Sequence, residues 1–310
     1  MPEPTPLSSA ASPSASSTEF SPSAFSTAVV SWFAVAARDL PWRRPGFTAW
    51  GTLVSEFMLQ QTPVVRVVPR LAEWLARWPT PASLAASPAG DAVRAWQSLG
   101  YPRRALNLHA CAVAITSRFG GEVPRDVPSL LSLPGVGDYT ARAVAVFAYG
   151  DRHPVVDTNI RRVIARAVDG APDAAAPNAR RDLPAMAALL PPSDADAARF
   201  NAGMMELGAL VCTARAPRCS SCPVADLCAW RAAAYPSAPV ARRPVQKKYE
   251  GSDRQARGIV LGVLRASDDP VPHTALAEAL PDPARLGRAL AGLLADGLLV
   301  TPAADLYALP

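Results

Sequence analysis

Cys212-Thr-Ala-Arg-Ala-Pro-Arg-Cys219-Ser-Ser-Cys222-Pro-Val-Ala-Asp-Leu-Cys228 gathers four cysteines into one short loop with the spacing C-x6-C-x2-C-x5-C. Thiolates bunched this tightly suit a compact cubane, a [4Fe-4S] cluster, because four sulfurs must converge on one small body. Structural zinc is the rival, yet four-cysteine zinc sites pair two short knuckles across a longer gap. Here only Cys219 and Cys222 form a knuckle. A disulfide framework suits the chain least, since 310 residues with no secretory signal need no such staples. Cys111 lies in an apolar helical stretch and reads as packing.

Working outward from the loop, helical periodicity dominates. Phe25, Val29, Trp32 and Phe33 begin a helix, and Thr48 can cap another running through Glu56 to Gln61. A third follows Pro63, and more fall around 92–98, 103–118, 139–149, 158–168, 182–190 and 195–211. The expected organisation is a disordered Ser/Pro/Ala-rich tail over 1–24, an all-α body over 25–235 and a basic, Pro-rich linker over 236–252. Residues 253–310 read as a small separate domain of three helices and a two-stranded wing, winged-helix-like in order.

Half of the residues are apolar, but no run of about 18 is unbroken enough to span a membrane. The expected compartment is therefore the reducing cytoplasm, and the expected state a monomer. The net charge of +5 is uneven: five arginines meet seven acids from Asp253 onward, leaving −2 there and +7 before it. A basic body is compatible with a phosphate-backbone partner. The acidic balance of 253–310 makes packing or protein contact there at least as good a reading as DNA binding.

Leu133-Pro134-Gly135-Val136-Gly137 sits between two helices. Two glycines bracketing a tight turn let successive N–H groups face an anion, with the next helix adding its positive end. An ordinary helix–turn–helix corner would use the same glycines. Arg215 and Arg218 in the cysteine loop tip the balance toward phosphate binding. Two carboxylates then stand out. Glu56, inside Leu53-Val-Ser-Glu-Phe-Met-Leu-Gln-Gln-Thr62, has apolar neighbours that would raise its pKa and keep a proton available. Asp157 begins a helix, where N–H groups and the dipole would hold it ionised, as for any N-cap. One protonated acid and one carboxylate suit cleavage of a glycosidic bond.

Together these pieces resemble the helix–hairpin–helix DNA glycosylases, and among them the adenine glycosylases of the MutY type. The resemblance spans about residues 25–235 and rests on Asp39-Leu-Pro-Trp-Arg43, Ser55 to Thr62, Leu99-Gly-Tyr101, the Leu133–Gly137 turn, Val156-Asp-Thr-Asn159, Phe200 to Gly208 and the cysteine loop. It implies a two-lobed all-α fold with an iron-sulfur loop formed by Cys212, Cys219, Cys222 and Cys228. It also implies that the flipped adenine would sit in the cleft between the lobes. Glu56 matches the acid that protonates the adenine, and Asp157 the carboxylate that stabilises the sugar cation. Asn159 and Tyr139 match residues that support this pair. Gln61 and Tyr101 match residues inserted into the base stack, and Arg38, Trp42 and Glu206 match the adenine pocket. The turn residues Leu133, Gly135, Val136 and Gly137, with Arg215 and Arg218, match phosphate contacts. Without the resemblance, Trp42 and Tyr101 could be core and Arg38 a surface ion pair.

Two departures accompany the match. Pro102 stands where the family usually has a second Tyr, and 253–310 has neither the length nor the aromatic loop of a MutT-like lesion reader. The implied activity is base excision on double-stranded DNA carrying an adenine mismatch, by a nucleoid-associated enzyme. Thymine-mismatch glycosylase, endonuclease III-like lyase and DNA-binding redox regulator are the competing readings. Glu56 and the Gln60-Gln61 pair argue against the first. The lack of lysine in 1–246 argues against the second, and the paired carboxylates argue against the third.

Overall fold

The computed structural model describes residues 20–237 and 248–310. Most of the tail expected over 1–24 and of the linker expected over 236–252 lies outside the described residues. Helix α1 (Pro22–Ala36) starts before the expected boundary at Phe25 because Ser21 Oγ accepts from the Ala24 N–H at 3.3 Å.

Seven helices build the first lobe: α2 (Ala49–Leu59), α3 (Val64–Arg77), α4 (Pro81–Ala85), α5 (Ala89–Trp96), α6 (Arg103–Arg118), α7 (Val127–Leu131) and α8 (Asp138–Tyr149). Thr48 caps α2 as expected, accepting from the Gly51 N–H at 3.0 Å. The short α4 and α7 carry too few apolar residues to show a period, and each begins with a side-chain cap followed by proline. The core runs through Leu53, Phe57, Leu108, Ile115 and Val144. Trp74 meets Trp78 and Trp96 edge-on, with ring centroids 4.6 and 5.6 Å apart.

The second lobe joins α1 to α9 (Thr158–Ala167), α10 (Ala179–Ala187), α11 (Asp194–Leu210) and α12 (Ala229–Ala232) around Phe25, Val29, Val163, Phe200, Met204 and Leu207. The cysteine loop lies between α11 and α12. A small cluster of Ala143, Val146 and Val155, with Tyr139 and Met205 against it, marks the junction of the lobes.

Residues 253–310 fold as α13 (Asp253–Ala266), β1 (Val271–Pro272), α14 (His273–Ala279), α15 (Pro283–Ala295), β2 (Val300–Ala303) and β3 (Leu306–Ala308). The strands form an antiparallel sheet in the order β1-β3-β2, with Val271 opposite Tyr307. This is a winged-helix arrangement with one strand more than expected. It does not stand apart, however. Val260, Leu261, Leu264 and Leu286 are buried in one continuous core with the first lobe. Arg94 Nη1 donates to the carbonyls of Arg265 and Ser267, both at 2.7 Å, and Arg265 Nε donates to Val93 O at 3.0 Å. On α15, Arg288 turns to Asp253 (3.0 Å) and Arg285 to Gln255 (3.2 Å), so neither guanidinium is left facing outward alone.

Candidate active site and cluster loop

Glu56 lies in the last turns of α2, which packs against α8, and only 6% of its surface is exposed. Its Oε2 has no hydrogen-bond partner among the described residues. Burial pushes the carboxyl up to about 7, the Tyr139 hydroxyl beside it opposes this, and the Asp157 charge adds to it. A carboxyl so buried can keep a proton near neutral pH. Tyr139, in the first turn of α8, has its hydroxyl beside Glu56 and within range of the Asp157 charge. Burial first, then Glu56 and Asp157, drives its own pKa well above the usual tyrosine value, so it remains a neutral donor. Its hydroxyl also lies 4.0 Å from Met205 Sδ.

Asp157 is the N-cap of α9. Oδ1 accepts from the Ile160 N–H at 2.7 Å and Oδ2 from Asn159 Nδ2 at 2.9 Å. The sequence suggests that these bonds would hold it ionised. They are present, but burial outweighs them and raises its pKa above the ordinary aspartate value; the bonds from Ile160 and Asn159 and the Arg162 charge pull the other way. How far the lobe junction excludes water from Asp157 is what a sequence does not display.

Asn159 is itself held. Arg162 Nη2 donates to Asn159 Oδ1 at 2.8 Å and to Gly208 O at 2.6 Å, while Arg162 Nε donates to Cys212 O at 2.7 Å. A Cβ on Gly208 would sit 2.6 Å from that of Asn159, so α11 can approach α9 this closely only with glycine there. Asn201, fully buried on α11, accepts from the Val155 N–H at 2.9 Å and donates to His153 O at 3.1 Å, fixing the segment that leads to Asp157. Arg162 and Asn201 escape the sequence reading because they reach backbone groups nearly fifty residues away, Gly208 and Cys212 for one and His153 and Val155 for the other; only the motif around Phe200 hints at Asn201.

Glu206 is 1% exposed and saturated: Arg38 Nε and Nη2 donate to its two oxygens at 2.8 and 2.7 Å, and Arg43 Nη2 at 3.0 Å. Burial opposes its charge, yet Arg38 and Arg43 hold its carboxyl down at about 2. Arg38 is therefore an ion-pair partner, and half-buried Trp42 sits in the turn Pro41–Arg43 beside it. Glu206 follows Met205 on α11, the residue whose Sδ lies 4.0 Å from the Tyr139 hydroxyl. Gln61 and Tyr101 lie on two loop tips instead, both with left-handed backbones at φ 56 and 47°, and Tyr101 is 56% exposed. Core packing does not account for Tyr101.

In the Leu133–Gly137 turn, Leu133 and Val136 are buried, so they can offer only backbone outward. Gly135 has φ 76°, and a Cβ there would lie 2.7 Å from that of Asn107 and 2.9 Å from the Phe57 ring. Exposed Gly137 precedes α8 and no side chain caps that helix, leaving its first N–H groups toward solvent. Arg215 and Arg218 are exposed and take part in no ion pair among the described residues. Turn and cysteine loop are thus equipped for an anionic backbone.

Cys212, Cys219, Cys222 and Cys228 line one hollow with Val163, Leu207, Val211 and Val224. Among the described residues no three Cys, His, Asp or Glu side chains are set for a single metal ion. A lone zinc draws each sulfur to about 2.3 Å, whereas a cubane takes one thiolate at each of four irons and spreads them. Burial, and then the neighbouring sulfurs, pushes the Cys222 thiol up to about 11, so a thiolate at that position calls for an electropositive occupant. Arg166 braces the hollow, donating to Thr213 O at 2.8 Å and lying 3.6 Å from Cys212 Sγ, over the Trp230 ring.

Residues 54–183 match the HhH-GPD superfamily of base excision DNA repair proteins, and residues 212–228 match the iron-sulfur binding domain of endonuclease III. With the donor set above, the cofactor is a [4Fe-4S] cluster on the four cysteines. An adenine DNA glycosylase of Mycolicibacterium smegmatis is 56% identical over 282 residues, covering 91% of this chain and 94% of that one. A thermostable thymine-DNA glycosylase structure superposes with a TM-score of 0.60 at 26% identity, over 67% of this chain and 95% of that one. A trapped endonuclease III–DNA covalent intermediate superposes with a TM-score of 0.58 at 23% identity, over 67% of this chain and 94% of that one, a likeness of fold alone. No helix among the described residues is long and apolar enough to cross a membrane. By its motifs, its two lobes, its cluster loop and this identity, the chain belongs to the adenine DNA glycosylases of the helix–hairpin–helix base excision repair superfamily.

Proposed function

We propose that this enzyme excises adenine mispaired with 8-oxoguanine or guanine in duplex DNA, acting as a monomer and leaving the strand uncut. The observation that carries the reading is the carboxylate pair across the lobe junction. Glu56 keeps a proton near neutrality with Oε2 free of partners, and Asp157 is aimed by the α9 N-terminus and Asn159.

In this reading the turn at 133–137 and the arginines of the cysteine loop grip the phosphates, while Gln61 and Tyr101 enter the stack and the adenine leaves it. Glu56 delivers its proton to the purine, turning it into a neutral leaving group. Asp157, ionised in the bound state, faces the positive charge that develops on the sugar. Tyr139 donates between them and keeps the two charges apart. The saturated Arg38–Glu206–Arg43 group gives the pocket beside Trp42 a fixed wall rather than a second acid. Bound at the four cysteines, the cluster supplies iron–sulfur bonds that brace the loop; no step of base removal passes through it.

The test is single-turnover excision on A:8-oxoG, A:G and T:G duplexes by wild type, Glu56→Gln and Asp157→Asn. Adenine should be released from the first two duplexes and thymine retained in the third, with either substitution costing on the order of 10²–10⁴-fold. Thymine release at a comparable rate would move the protein to the thymine-mismatch reading.

A further inference from the structure

The two lesion-facing loops are tied to one buried cation. Arg104, 7% exposed in the first turn of α6, donates from Nη1 to the carbonyls of Phe57 (2.8 Å), Met58 (3.0 Å) and Gln60 (2.6 Å). From Nη2 it donates to Thr62 Oγ1 (3.0 Å), Leu99 O (3.3 Å) and Gly100 O (2.9 Å). Its acceptors are the last carbonyls of α2 and the loop residues flanking Gln61 on one side, and the residues preceding Tyr101 on the other. Thr62 Oγ1 adds a direct strap, donating to Leu99 O at 3.2 Å. The guanidinium also lies 5.2 Å from the Trp96 ring centroid and 5.5 Å from that of Tyr101.

No carboxylate pairs with Arg104 among the described residues, and its Nε has no partner. Burying a lone cation is costly, and an apolar side chain of similar size would fill the space with a smaller penalty. What the cation does in return is hold two left-handed, non-glycine residues, Gln61 and Tyr101, in conformations a free loop would leave. Burial lowers its pKa only to about 10, so it remains charged in any ordinary buffer.

We propose that Arg104 is a positioning residue which locks the Gln61 and Tyr101 loops into a single preformed wedge, so that the strain of both is met before DNA arrives. This rests on the reading of Gln61 and Tyr101 as stack-entering residues and goes beyond it by coupling them. An ammonium at this place has three donors on one nitrogen for the six acceptors that the two Nη atoms share, so it ties the loops less completely. Released loops must be ordered on binding, and that cost falls on mismatch recognition rather than on the chemical step.

The test uses full-length, cluster-loaded enzyme with A:8-oxoG and fully paired A:T duplexes, each carrying 2-aminopurine beside the target. Affinities are read in a Glu56→Gln background and excision rates without it. Arg104→Lys should reduce the affinity preference for the mismatch by about tenfold, or 1.4 kcal/mol. It should also weaken the 2-aminopurine signal, while the saturating single-turnover rate falls less than the affinity does. Gln61→Ala and Tyr101→Ala should be strongly coupled in the parent and additive in the Arg104→Lys background. A merely structural role lowers thermal stability but keeps preference and coupling, and that outcome overturns the proposal. If Arg104→Lys fails to retain cluster and fold, Thr62→Val decides: a loss of preference of about threefold with weaker coupling supports the wedge, and unchanged values overturn it. If Gln61→Ala and Tyr101→Ala alone leave preference and signal intact, the stack-entry reading fails and takes the proposal with it. Losses there with none in Arg104→Lys sink the proposal alone.

Discussion

Glu56 should trade stability for catalysis, and the size of the trade follows from its surroundings. Its carboxyl moves from an ordinary 4.5 to about 7 because α2, α8 and the lobe junction exclude water from it. At 1.36 kcal/mol per pH unit this comes to about 3 kcal/mol between its two protonation states. The folded pKa lies above the unfolded one, so the contribution to stability is fully present below pH 4.5 and is lost as pH rises through about 7. Above that point the fold carries a buried charge it would rather not hold. Glu56→Gln keeps the shape and removes the charge. The variant should therefore unfold at higher temperature than wild type at pH 8, by up to about 3 kcal/mol, with the advantage shrinking toward pH 5. Excision by the wild type should fall about tenfold for each pH unit above 7, as the acid is emptied. Thermal unfolding followed by circular dichroism at the two pH values, beside single-turnover rates, measures both arms. A variant less stable than wild type at pH 8, or equally stabilised at both pH values, would show that burial is not what holds the proton.

Three further outcomes are expected. Because residues 1–246 hold no lysine, borohydride should trap no enzyme–DNA adduct during adenine release, and the abasic strand should stay intact until alkali is added; efficient trapping would contradict this. Arg162→Met removes the donors to Asn159, Gly208 and Cys212 together, so it should slow excision at unchanged mismatch affinity and loosen the cluster, measured as iron retained after gel filtration. Leu261→Ala, in the tail, should lower stability by about 2–5 kcal/mol. Every tryptophan precedes residue 231, so a shift in tryptophan fluorescence unfolding would report the loss in the body itself, and an unmoved transition would mean the tail melts alone.

Much of this molecule is written locally. The cysteine spacing, the Leu133–Gly137 turn, the Thr48 and Asp157 caps and the apolar surroundings of Glu56 are properties of a few adjacent residues, and the long helices follow their apolar period. What the sequence leaves open depends on partners far along the chain. The balance at Asp157 turns on how much water the lobe junction excludes, which no neighbour of Asp157 states. Arg38, Arg104 and Arg162 look like interchangeable members of an arginine-rich surface. Their roles emerge only when Glu206, the loop carbonyls and Cys212 O arrive beside them. The docking of 253–310 is hidden for the same reason: its leucines read as a private core, and only the fold shows them shared.

The lobes are also interleaved along the chain, and this sets an order of assembly. Helix α1 belongs with α9–α12, and α2–α8 are completed by α13–α15. A ribosome adding about 5–20 residues per second leaves roughly ten to thirty seconds between the emergence of α1 and that of α11. For that interval Phe25 and Val29 have no partner lobe to enter, while α2–α8 can begin to collapse on their own. The cysteine loop emerges only after α11, so its four thiols are brought together no earlier than the closing of the second lobe. The tail follows last, sealing the lobe that started first.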